Sequence, residues 1–76
     1  MPRLPRVTAD QAIRVLGRIG WVLLRSSGSH FIYGNAEGIR VTVPTHAGKI
    51  LHPKVLQNII RDTGLSVDGF IRLLGE

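Results

Sequence analysis

The sequence predicts an α+β domain, a three-stranded antiparallel sheet with helices on one face. Two observations carry this. Apolar residues recur at helical spacing near both ends of the chain, and three short strand-like runs fill the middle. The connections between those runs are short turns, which suit a meander and leave no room for crossover helices. The order reads α-β-β-β-α, then a short α.

The first helix is expected over residues 9–19. Thr8-Ala9-Asp10-Gln11 fits a capping box, in which the Thr8 hydroxyl accepts from the Gln11 amide and the Gln11 side chain reaches back. Ala9, Ala12, Ile13, Leu16 and Ile19 form its apolar stripe, and Gly20 stops it. Arg14 and Arg18 sit off that stripe and read as a solvated face. The run "WVLLRS" (21–26) is the first strand, Ser26–Ser29 the first turn and "HFIYG" (30–34) the second strand. "NAEG" (35–38) is the second turn. In "IRVTV" (39–43), Ile39, Val41 and Val43 face one way and Arg40 and Thr42 the other.

Pro44 ends that strand, and "THAGKILH" connects it to a helix that opens on Pro53. Val55, Leu56, Ile59 and Ile60 give that helix its apolar side, and Gly64 ends it. Ser66 caps a last short helix whose apolar side is Val67, Phe70, Ile71 and Leu74. Helix, three-stranded meander, helix is the layout of double-stranded-RNA-binding domains. The layout alone assigns no function.

Seventy-six residues make one domain, spanning 1–76. At 43% hydrophobic residues the chain can pack a core. It has no cysteine, which fits a reducing compartment and excludes disulfides and thiolate metal sites. No apolar run is long enough to span a membrane, and "MPRLPRVTAD" lacks the apolar segment of a secretory signal. A soluble cytoplasmic protein is expected. Ten Lys/Arg against five Asp/Glu leave a net charge of +5. That excess suits RNA or DNA, or an acidic protein partner. The cations are scattered, so any patch must be assembled by folding.

Most catalytic chemistries fail on the residues. His46 and His52 lie in a connector without a carboxylate, so no metal site is expected. Gly48-Lys49 lacks the remainder of a phosphate-binding loop, since Val43 and Ile50 occupy the required positions. Five scattered acids offer no strong carboxylate pair. Nothing marks a serine triad among Ser26, Ser27 and Ser29. What remains is histidine acid–base chemistry on a basic surface. RNA suits it, because RNA carries its own nucleophile, the 2′-OH, and needs no metal or other cofactor. His30 stands where the polar turn becomes an apolar strand, flanked by Gly28 and Ser29, and can present its ring over the open sheet face.

The segments "GSHFIYG" and "VTVPTHAGKILHPKVLQNIIRDTGLSVDGFIRLL", with the opening "MPRLPR", resemble the HicA toxin family, the YcfA-like mRNA interferases. The resemblance covers nearly the whole chain. It implies a double-stranded-RNA-binding-like fold and an endoribonuclease acting on mRNA. It also implies the toxin of a toxin–antitoxin pair, neutralised by a HicB-type antitoxin. The family's catalytic histidine falls on His30. Many family members carry a second histidine or an aromatic directly after the motif, a place filled here by Phe31.

The candidate RNA contacts are Lys49, Arg25, Arg40, His46 and Ser29, with His46 also a candidate second proton donor. Phe31 and Tyr33 could stack bases, although core packing is the expected role of at least one of them. Two other readings stay open: a non-catalytic double-stranded RNA-binding module, and an interaction domain whose open sheet binds an acidic chain. The sheet edges leave a homodimer open as well.

Overall fold

A computed structural model describes residues 4–45 and 49–75. Its elements are α1 (Ala9–Arg18), β1 (Val22–Ser27), β2 (His30–Gly34), β3 (Arg40–Pro44), α2 (Pro53–Thr63) and α3 (Val67–Leu74). The strands form one antiparallel sheet in the order β1-β2-β3. This is the α+β meander that the sequence predicts.

α1 and α3 start where the sequence places a cap. The Thr8 hydroxyl accepts from the Gln11 amide at 3.3 Å, and Gln11 Oε1 accepts from the Thr8 amide at 2.9 Å, closing the capping box. Ser66 Oγ accepts from the Gly69 amide at the head of α3. Gly64 ends α2 in the left-handed region, with φ of 77°, where a Cβ is disfavoured. The cap of α2 is His52, whose Nδ1 accepts from the Lys54 amide at 3.0 Å. That bond requires an unprotonated Nδ1.

The core lies between the helices and one sheet face. Ala12, Val15 and Leu16 from α1, Leu56 and Ile59 from α2, Phe70 from α3 and Val43 from β3 are almost fully buried. Val7 and Leu51 join them, beside a short backbone bridge between Thr8 and Ile50. Arg18 is not simply a solvated residue. Its guanidinium donates to the Leu73 carbonyl, tying the end of α1 to the end of α3, where orphan carbonyls accept a cation well.

The strands depart from the expected boundaries in three places. Ser26 and Ser27 continue β1, so the first turn shrinks to Gly28-Ser29. Gly28 has φ of 56°, the positive value that a two-residue hairpin loop needs at its first position. Trp21 is buried ahead of β1, outside the strand. Ile39 precedes β3 and is exposed, so it does not share the inward face of Val41 and Val43. Asn35 causes this: its Oδ1 accepts from both the Glu37 and Ile39 amides and holds the loop in a tight turn.

Candidate active site

The register fixes which side chains share the sheet face away from the helices. Phe31 pairs with Val43 and Tyr33 with Val41, and both valines are buried. Phe31 and Tyr33 therefore point into the core. Neither is available to stack a base on the open face. Burial raises the Tyr33 phenol above its ordinary value.

The alternate residues point outward. His30 pairs with Ser27 on one side and Pro44 on the other; Ile32 pairs with Arg25 and Thr42; Gly34 pairs with Val22 and Arg40. His30, Arg25 and Arg40 therefore stand on one face of the sheet. A bulge between Leu23 and Arg25 turns Leu24 onto this face as well. Leu24 Cδ1 lies 2.6 Å from where a Cβ on Gly34 would stand, so Leu24 covers the glycine. The whole of β1 is exposed, including Val22, Leu23 and Leu24.

His30 is exposed and opens β2 directly after the hairpin loop. Among the described residues its ring has no hydrogen-bond partner. It lines a groove of about 370 Å³ along the β3 edge, together with Arg40, Thr42, Asn58 and Asp62. Val55 of α2, half-buried, supplies its accessible apolar side, while Ile59 beside it is almost fully buried. The long Arg40 side chain thus reaches the same groove as the histidine, although it stands four residues from Pro44 along β3.

The remaining sequence candidates divide. Arg25 is exposed on the open face, one strand away from the groove. Lys49 is exposed and lines a neighbouring depression of about 290 Å³ with Ile50, Leu51 and His52. That depression shares Pro44 and Val55 with the His30 groove, so the two are contiguous. Ser29 is half-buried, and its carbonyl accepts from the Thr45 hydroxyl at 2.9 Å and from the Thr45 amide. Its backbone thus holds the end of β3 beside the hairpin. His46 lies outside the described residues.

Sequence reasoning passed over Thr42, Asn58 and Asp62. The two α2 residues lie within the segment that resembles the family, but nothing in their local pattern marks them as site residues. Only the packing of α2 beside β3 brings them to His30. The helical spacing of Asn58 and Asp62, four apart and therefore on one face, was the available signal. Among the described residues, no three His, Asp or Glu side chains gather as a metal site. No helix among them is long and apolar enough to cross a membrane.

Fold and site together define a small basic α+β domain of α-β-β-β-α layout, with an exposed histidine at the head of its central strand. Residues 9–65 match the family of HicA toxins of bacterial toxin–antitoxin systems. The chain belongs to the HicA toxin family. No curated protein matches it.

Proposed function

We propose that this toxin is a metal-independent endoribonuclease that cleaves mRNA through His30 and is silenced by a HicB-type antitoxin. The observation that carries the reading is the exposed His30 ring sharing one groove with Arg40 on a strongly basic chain. Arg40 binds the phosphate and stabilises the charge that builds on the phosphorane. His30 performs one of the two proton transfers. In the cleavage step, the 2′-OH loses its proton and its oxygen forms a bond to the adjacent phosphorus. The bond to the 5′ oxygen breaks, and that oxygen gains a proton. The products are a 2′,3′-cyclic phosphate and a free 5′-OH. His46, which lies outside the described residues, is the sequence candidate for the second transfer.

Arg25 and Lys49 extend the cationic surface on either side and guide the RNA backbone. Two features suit a protein inhibitor. The basic face calls for an acidic partner surface, and the exposed apolar residues of β1 offer a dry contact beside it. Phe31 and Tyr33 are core residues, so substrate contact rests on the polar face rather than on stacked aromatics.

The test is incubation of a long unstructured RNA with the protein in EDTA, comparing wild type with His30→Ala. The variant should lose cleavage by about 10²–10⁴ while its fold and RNA affinity persist. Undiminished cleavage by the variant would remove His30 from the chemistry. RNA binding without cleavage by either protein would favour a binding module. Salt separates both from a pure protein-interaction domain, since phosphate contacts must weaken steeply as salt rises.

A further inference from the structure

Asp62 stands out for two reasons. It sits in the last turn of α2, where the helix dipole disfavours a carboxylate. Its ion pair is a 3.7 Å approach to Arg61 Nε across two solvent-accessible side chains, an arrangement that contributes little. It is also an acid in the groove that holds His30 and Arg40, where a polyanion is to be bound. A carboxylate there repels phosphate. In RNA, it can attract only groups that donate N–H or O–H.

We propose that the groove between β3 and α2 is a base-recognition subsite, and that Asp62 makes it select guanine next to the cleaved phosphate. The proposal rests on the ribonuclease reading for its setting. The half-buried side chain of Val55 gives the face of a base an apolar contact. The carboxylate supplies the selection. Guanine alone presents two adjacent donors, N1–H and the N2 amino group, in the spacing that a carboxylate accepts with both oxygens. Adenine, cytosine and uracil each set a donor beside an acceptor on that edge, and the acceptor would face a carboxylate oxygen. Asn58, one turn earlier on the same face of α2, offers an amide N–H to the remaining guanine acceptors. Because His30 lines the same groove, a base held there sits beside the histidine that acts on its phosphate.

The subsite is read by NMR on isotope-labelled protein titrated with guanosine, inosine and adenosine 3′-monophosphates. Inosine differs from guanosine only by lacking the N2 amino group. Guanosine monophosphate is expected to shift the Val55, Asn58 and Asp62 amides and to bind about ten-fold more tightly than the inosine form. In Asp62→Asn that gap should close, while the spectrum shows an intact fold. Equal affinity for the two nucleotides in the wild type overturns the proposal, as does a gap that survives in Asp62→Asn. In parallel, oligonucleotides carrying one guanine, inosine or adenine should be cut with the same order of preference, and Asp62→Asn should flatten it. Selective nucleotide binding without any cleavage would leave the subsite standing and remove the ribonuclease reading instead.

Discussion

Phe70→Ala tests whether α3 belongs to the folding unit or merely rests on it. Phe70 is 0% exposed, and α3 packs chiefly against α1. Removing a fully buried phenylalanine side chain costs about 3–5 kcal/mol, through lost apolar transfer and the cavity left behind. A 76-residue domain is stabilised by roughly 4–11 kcal/mol in total. The substitution therefore consumes a large part of the stability and brings the domain close to unfolding. Urea denaturation followed by circular dichroism measures this directly. With a slope of about 1–3 kcal/mol per molar for a small protein, the midpoint should fall by roughly 1–5 M with the slope unchanged. Phe70→Leu, which keeps most of the apolar volume, should lose far less. A Phe70→Ala loss below about 1 kcal/mol, the scale of a surface change, would refute the reasoning and make α3 an appendage.

Other outcomes follow from single contacts. Thr8→Ala should cost about 1 kcal/mol by removing one arm of the capping box, read as a lower urea midpoint. Gly64→Ala should cost about 1–2 kcal/mol, because alanine must adopt the positive φ at the end of α2. Tyr33 is the sole tyrosine, so tyrosinate absorbance reports it alone. Burial raises its phenol above the ordinary 10.0, so the unfolded chain gives up this proton at lower pH than the folded one. Its contribution to stability is complete below pH ~10 and is lost as pH rises through the folded value. Alkaline unfolding should therefore accompany its ionisation, and Tyr33→Phe should shift that unfolding to higher pH.

The elements were legible because local signals agreed with one another. Thr8 and Gln11 marked a helix start, Gly64 a helix end, and the alternation in "RVTV" a strand with one buried face. Boundaries failed where a side chain outvoted periodicity. Asn35 bonds two backbone amides and leaves Ile39 outside β3, which no count of apolar residues reveals. The exposure of β1 was hidden for another reason. "WVLLRS" is apolar enough for a core strand, yet the helices pack over β3, and β1 lies at the far edge of the sheet. The place of His30 at the head of a strand was legible from the turn before it. Its groove was not, because Asn58 and Asp62 come from a helix more than twenty residues away and meet β3 only through the fold. His52 was visible only as one of three histidines, and its role as the cap of α2 depends on ring orientation.

The central claim is that His30 works on an RNA backbone that supplies its own nucleophile. The most direct measurement uses two oligonucleotides, identical except for one 2′-deoxy nucleotide at a mapped cleavage site, incubated with the protein in EDTA. The account predicts a cut carrying a 2′,3′-cyclic phosphate in the all-ribose strand. It predicts no cut at that position in the deoxy strand, and none in either strand with His30→Ala. Cleavage of the deoxy strand at the same position would contradict it, since the attacking oxygen would then come from elsewhere.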